Sequence, residues 1–403
     1  MTITYDQLRR MRFSLCSSFG YYLSINDEGK PQLSSHTLDW EIFSINDSNQ
    51  LIRSNDNVIL NNYTVHINDD MVALRYSDNQ YLSVDNDNHQ DIIRRNHSDK
   101  WEMFKVVEYN HQQPNTYIES LRANGFCIIE NHLSLDTIKD IKGLINEASH
   151  RKGTFVDLEI TGRVGIQERI GKLLKIDPVL AEVACDPLIC GIIAKYIGNG
   201  NDKNFHLATW SSNNLLPQSP SDPDESKSGL GWHVDFPYEY LSDWPENSNE
   251  NVLGVQVLFS IDEFNVGNGA PLFLPNSHMR NKSLLKELQK NPYSRPDNSV
   301  QACLPPGSVL IAHSAWIHRQ TVNKSGTNRL GLLANYTRRN VRPKDEMKAQ
   351  YEHVRHSIAY NHRSDPESKE RLLNILQDWG NYNEVPCAVV NDRADEEREA
   401  MNV

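Results

Sequence analysis

No stretch of the 403-residue sequence approaches the roughly 20 consecutive apolar residues needed to span a bilayer. The first twenty-odd residues carry Arg9, Arg10 and Arg12 and no apolar run of the signal-peptide kind. No membrane partner and no export are therefore expected, and the chain reads as cytoplasmic. Positive charge is also scarce. Against 53 Asp and Glu stand 41 Lys and Arg, a formal charge of −12 that would repel a phosphate backbone, so nucleic acid is not an expected partner. Cysteine is sparse too: Cys16, Cys127, Cys185, Cys190, Cys303 and Cys387 are scattered without CxxC spacing or a Cys/His cluster of zinc type, which implies reduced thiols. The final Met-Asn-Val is not the Ser-Lys-Leu kind of peroxisomal address.

What is present is a length sufficient for more than one core. From about residue 13 to 107, short alternating apolar runs are broken by Asn, Asp, Ser and Gly, the pattern of a many-stranded antiparallel unit. Tyr22-Leu23-Ser24 precedes Trp40-Glu41-Ile42-Phe43, and Tyr81-Leu82-Ser83 precedes Trp101-Glu102-Met103-Phe104, a duplication with an interval of about 60 residues. These units resemble those of fascin-like β-trefoil domains, and their aromatic residues are expected to pack a core rather than to carry chemistry.

A polar linker, Asn110 to Asn115, leads to a strand at Cys127, Ile128 and Ile129. A helix capped by Ser134 follows, with Leu133 stapled onto Ile138 and an apolar face of Ile138, Ile141, Leu144 and Ile145. The spacing predicts further helix from about Gln167 to Ala194, broken at Asp186-Pro187, and strands from Phe205 to about Thr337. Between them, the Ser-, Pro-, Asn- and Asp-rich stretch Ser211 to Gly231 reads as an active-site lid. The tail after Pro343 reads as polar helix, clearest from Glu367 to Trp379, with a frayed last dozen residues. The expected units are 1–108, 116–345 and a helical extension, 346–403.

The chemistry concentrates in two places. Gly231-Trp232-His233-Val234-Asp235 places an imidazole and a carboxylate two apart on an apparent strand, so both point to one side and can share a metal. Further on, Trp316-Ile317-His318 reads as continuing the strand after Pro306-Gly307-Ser308, and Asn323 to Gly326 reads as a hairpin turn that would put His318, Gln320 and Arg329 on one face. Two imidazoles and a carboxylate suit a non-haem iron(II) oxygenase because they leave metal positions open for an α-keto acid and dioxygen. The far carboxylate of such a co-substrate, 2-oxoglutarate, calls for a guanidinium.

Residues 117 to about 345 resemble the phytanoyl-CoA dioxygenase family of 2-oxoglutarate oxygenases. The matching stretches are Trp232 to Asp235, Ile261 to Phe264, Gly267 to Leu272, Leu274 to His278, Pro306 to Ser308, then His318, Asn323, Ser325 and Arg329. The resemblance implies a mainly β fold with flanking helices, a double-stranded β-helix (cupin-like jelly roll) preceded by the small trefoil-like unit. It implies that His233, Asp235 and His318 bind Fe(II), that Arg329 anchors 2-oxoglutarate, and that Gln320 stands where the family often has a Ser that assists it. His313 and His278 read as structural, and Asn276 replaces a family Gly while tolerating a left-handed backbone. Asp235 fills the position that halogenating relatives leave small, so hydroxyl transfer is the expected outcome.

Trp232, Phe236, Tyr238 and Tyr240, with Asn213 and Asn214 of the lid, suggest a medium-sized organic substrate, and Arg163 could reach an anionic one. The expected activity is oxidation of a small molecule with release of succinate and carbon dioxide, in a specialised biosynthetic pathway. Three alternatives compete: a peptide hydroxylase recruiting its substrate through residues 1–108, a non-catalytic binding protein, and a zinc hydrolase with no need for Arg329.

Overall fold

The computed structural model describes residues 3–17, 21–34, 37, 40–54, 56–84, 92–97, 102–109, 114–150, 167–200, 204–218, 231–244, 252–280, 282–341, 343, 346–356 and 372–376. The fold is mainly β with helices on its flank. The N-terminal part carries α1 (Tyr5–Arg10), β1 (Phe13–Cys16), β2 (Tyr22–Ile25), β3 (Pro31–Ser34), β4 (Phe43–Ile45) and β5 (Gln50–Arg53). It continues with β6 (Val58–Asn68), β7 (Met71–Tyr76), β8 (Tyr81–Val84), β9 (Ile92–Arg95) and β10 (Met103–Glu108).

The sequence duplication is a structural one. β2 and β8 have the same burial pattern, and both pair with the next strand as a hairpin, β2 with β3 and β8 with β9. Leu23, Leu82, Phe43 and Phe104 all sit in one apolar cluster. The pairings β1–β4, β4–β5, β5–β6, β6–β7, β7–β10 and β10–β1 close a ring, which leaves the two hairpins outside it. Trp101 of the second repeat lies outside the described residues.

The second part runs α2 (Pro114–Asn124), β11 (Phe126–Ile129), α3 (Leu135–His150), β12 (Gln167–Gly171), α4 (Pro178–Ala184), α5 (Pro187–Ile197), β13 (Phe205–Leu215), β14 (Gly254–Ser260) and β15 (Leu272–Phe273). It ends with α6 (Lys282–Gln289), β16 (Val300–Gln301), β17 (Val309–His313), β18 (His318–Arg319), β19 (Arg329–Arg338) and α7 (Glu346–His356). Ser134 caps α3 by accepting from the Thr137 N–H at 3.1 Å, and Ile138, Ile141 and Ile145 are buried. A six-stranded sheet in the order β11-β17-β14-β19-β13-β12 faces a three-stranded sheet, β16-β15-β18. The larger sheet buries its outer face against the helices in one large core that also takes in Met347, Tyr351 and Val354 of α7 and Leu372, Ile375 and Leu376 beyond it. Ile42 and Tyr109 join this core from the N-terminal side.

Three expectations are corrected. Gln167–Gly171 is not helical but an edge strand: it pairs with β13 from Gln167↔Leu215 to Gly171↔Ser211, and this tertiary pairing overrides its helix-forming residues. Trp316-Ile317-His318 does not continue β17, because the chain turns at His313, where the Trp316 N–H donates to its carbonyl at 2.8 Å, and crosses to the smaller sheet. His318 and Arg329 therefore do not form a hairpin; β18 pairs with β15, and β19 with β13 and β14. Residues 219–230 of the expected lid lie outside the described residues, and its first residues, Ser211 to Leu215, are the end of β13. Arg163, residues 367–371 and 377–379 of the expected tail helix, and the last dozen residues lie outside the described residues.

Candidate iron and 2-oxoglutarate site

His233 and His318 are brought together by backbone hydrogen bonding. Residues 231–235 do not form a regular strand; His233 makes an isolated antiparallel bridge to His318, with N–H to O distances of 2.9 and 3.0 Å in the two directions. Directly opposed residues of such a pair project to one side, and the two imidazole centroids lie 4.2 Å apart. On its other edge His318 is paired with Phe273 of β15. Asp235 is held by its own N–H, which donates to the Ser314 carbonyl at 3.0 Å.

Each imidazole has its tautomer fixed from behind. His233 Nδ1–H donates to the Gly231 carbonyl at 2.7 Å, and His318 Nδ1–H donates to that of Trp316 at 3.0 Å. Both Nε2 atoms then present lone pairs. Burial above all, with help from His318, pushes the His233 imidazole down to about 4 despite Asp235 and the Gly231 hydrogen bond, so it is neutral at pH 7. One ligand atom from each of His233, Asp235 and His318 falls within 4.8 Å of the others. Asp235 Oδ2 is buried without a hydrogen-bond partner, 3.5 Å from His318 Nε2. A buried carboxylate oxygen without a hydrogen bond, beside two imidazole nitrogens, calls for a cation, so the donor set fits a metal ion and suits iron(II).

The trio opens into a cavity of about 170 Å³ that also contains Gln320 and Arg329. Arg329 is 3% exposed. Its guanidinium lies over the Phe264 ring at 4.1 Å and donates from Nη1 to the Gly269 carbonyl, while Nε is buried with no partner. Asp262, the nearest carboxylate of influence, is already engaged by the Leu330 N–H and by Lys142. Burial pushes Arg329 down to about 9, against the pull of Asp262, and leaves it charged at neutral pH. A buried cation with unmet donors requires an anion, and the second carboxylate of 2-oxoglutarate fits it.

The flanking motifs prepare this arrangement. A Cβ at Gly331 would lie 2.8 Å from the tip of Phe264, so glycine makes room for the ring under Arg329. Asn323 Nδ2 donates to the carbonyls of Leu215 and Thr327, fixing the loop that returns to β19. Gln320 lines the cavity and donates from Nε2 to Gln167 Oε1 at 2.7 Å.

The other expected residues divide. Phe236 and Asn213 line the cavity. Trp232 and Tyr238 belong to a separate apolar cluster, Tyr240 is 42% exposed, and Asn214 points to Glu168 on the opposite sheet face. His313 packs against Tyr196, Tyr238 and His278, and His278 stands within 3.2 Å of the Arg122 carbonyl. Asn276 adopts the left-handed conformation, φ 60°. Sequence reasoning missed Phe264, Trp316, Gln256 and Asn335, all in the cavity wall. Period-two alternation from Arg329 through Gly331 and Leu333 to Asn335 could have found the last of them.

A family description, phytanoyl-CoA dioxygenase (PhyH), matches residues 121–331, just over half of the chain. An uncharacterized protein of Mycobacterium bovis, Mb1539, is 24% identical over 244 residues, covering 59% of this chain and 80% of that one; the uncharacterized protein Rv1501 of Mycobacterium tuberculosis gives the same figures. Among solved structures, EctD from S. alaskensis with bound Fe aligns with a TM-score of 0.43 at 17% identity, over 57% of this chain and 79% of that one. The non-heme alpha ketoglutarate dependent epimerase SnoN from nogalamycin biosynthesis aligns with a TM-score of 0.41 at 14% identity, over 56% and 82%. The chain belongs to the phytanoyl-CoA dioxygenase family and is an oxygenase that depends on iron and 2-oxoglutarate.

Proposed function

We propose that His233, Asp235 and His318 hold the iron, that Arg329 binds the distal carboxylate of 2-oxoglutarate with Gln320 beside it, and that the enzyme hydroxylates or otherwise oxidises a small organic molecule. The observation that carries this reading is one cavity in which three converging ligand atoms share space with a buried, unmatched guanidinium. A zinc hydrolase or a binding scaffold has no physical use for the second feature.

Iron(II) with 2-oxoglutarate supplies dioxygen activation, releasing succinate and carbon dioxide while one oxygen atom enters the product. The chain's own contribution is placement. His233 and His318 present fixed lone pairs, Asp235 contributes the one carboxylate, and Arg329 neutralises and orients the co-substrate. Leu258, Phe264, Leu310 and Trp316 give the cavity apolar walls that limit water. With Asp235 filling its position, hydroxyl transfer is favoured over halogenation. The family's name gives no ground for an acyl-CoA substrate.

In this reading residues 116–345 form the oxygenase as a double-stranded β-helix, preceded by a trefoil-like accessory unit, 1–108, and followed by the extension 346–403. A cytoplasmic setting accords with the described cysteines, which carry thiols rather than disulfides. The test is iron- and oxygen-dependent formation of succinate from 2-oxoglutarate by the full chain. Asp235→Ala is expected to lower it by at least about a hundredfold, in line with losing a metal ligand. Undiminished succinate formation in that variant would remove Asp235 from the site.

A further inference from the structure

Besides Arg329, two arginines line the cavity: Arg319, which donates from Nη1 to the Gln320 carbonyl and lies over the Trp232 ring, and Arg169, which the iron and 2-oxoglutarate do not use. Arg169 lies on the edge strand β12, and its register partner across β13 is Asn213, itself paired with Gly331 of β19. The three residues make one row across the sheet, and Arg169 and Asn213 both line the cavity. Arg169 is pinned from one side, where its Nε donates to Ser211 Oγ at 2.9 Å, and Ser211 is 2% exposed. Its terminal nitrogens make no hydrogen bond and no ion pair among the described residues. Beside it, Asn213 Oδ1 is buried without a partner.

Charge matching makes the arginine informative. In the loaded site, two charges from iron(II) and one each from Arg329 and Arg319 are balanced by the two carboxylates of 2-oxoglutarate, by Asp235 and by Glu239, which also lines the cavity. Arg169 is left over on that count, held by a buried hydroxyl with its hydrogen-bonding fork free to meet a ligand. A guanidinium presented in this way favours a planar anion, and the orphaned Asn213 oxygen favours a donor next to it.

We infer that Arg169 reads a carboxylate on the organic substrate, with Asn213 accepting a hydrogen bond from an adjacent hydroxyl or N–H group, so that the substrate class is small organic acids. This rests on the iron and 2-oxoglutarate reading above. It makes Arg169 a specificity residue distinct from Arg329, which serves the co-substrate.

The experiment uses the full chain, loaded anaerobically with iron(II) and 2-oxoglutarate. Phenylacetate, 3-phenylpropionate and N-acetyl-leucine are each titrated beside the matching primary amide, and binding is read from the shift of the chelate's visible band. At least one acid is expected to bind tenfold or more tightly than its amide. Arg169→Gln should erase that preference while the chelate band and the 2-oxoglutarate affinity stay as in wild type, and Arg169→Lys should keep part of it. An acid preference that survives in Arg169→Gln, or no preference for any acid in wild type, overturns the inference. Loss of the chelate band in Arg169→Gln overturns it differently, by making Arg169 a co-substrate anchor. A wild-type protein that binds iron but forms no band removes the underlying reading and this inference with it.

Discussion

At the residue scale, the cavity is defined by groups whose needs the protein alone does not meet. Asp235 Oδ2 is buried without a hydrogen-bond partner 3.5 Å from His318 Nε2, and Arg329 Nε is buried with no acceptor. In the proposed site, replacing Arg329 with Ala removes a charge-assisted partner for 2-oxoglutarate, and such hydrogen bonds contribute about 1.5–3 kcal/mol each. Arg329→Ala is therefore expected to weaken 2-oxoglutarate binding by about tenfold to a hundredfold, measured by calorimetric titration, while iron content holds. Unchanged affinity would take Arg329 out of its assigned role. The proximity of His233 to Asp235 was legible because two residues in extended chain share a side. The tautomer-fixing carbonyls of Gly231 and Trp316 were not, since they depend on backbone geometry that residue types do not encode. Arg169 was hidden for a related reason: in Gln167-Glu168-Arg169-Ile170 the residue types suit a helix, and only pairing with β13 turns Arg169 into the cavity.

At the scale of elements, the site is a junction between sheets rather than the face of one strand. Arg329 and Gly331 come from the larger sheet, His318 from the smaller, and His233 joins the edge of the smaller by a single bridge. A hairpin reading of residues 318–329 placed the right side chains together by the wrong path, because alternation within a strand cannot reveal that the chain changes sheets. β18 is short and depends on outside support, of which Ser277 is the clearest case. Its Oγ is buried and accepts the Ile317 N–H at 2.8 Å, next to His318. Ser277→Ala strands that donor, at a cost of about 1–3 kcal/mol. Thermal denaturation should show the loss, and iron affinity should fall with it, since the backbone that carries His318 loosens. A destabilised variant with wild-type iron affinity would show that β18 is held by its pairing with β15 alone.

For the whole molecule, an apolar ring-closed unit and a two-sheet unit each have a core of their own, with Ile42 and Tyr109 reaching from the first into the second. The duplication behind the first was readable because equal burial patterns need equal residue patterns, as at Leu23 and Leu82. The participation of α7 in the second core was not read, although Met347, Tyr351 and Val354 recur at the i, i+4, i+7 spacing of a helix face, because the residues between them make the segment polar on average. Stability should fall in acid. Burial, reinforced by His278, pushes His313 down to about 3, so it stays neutral in the folded protein while the unfolded chain takes up a proton below about 6.5. Its contribution is present above pH 6.5 and is lost as pH falls toward 3, at about 1.4 kcal/mol per pH unit. Denaturant titrations should therefore place pH 5 about 2 kcal/mol below pH 7 from this group; equal stability at the two pH values would mean that His313 is protonated in the fold. The central claim, one cavity built for iron and its α-keto acid, is tested most directly by adding iron(II) and 2-oxoglutarate without oxygen and recording the visible spectrum of wild type and His318→Ala. The account predicts the metal-to-ligand charge-transfer band in wild type and its loss in the variant; a wild-type protein that retains iron but shows no band would contradict it.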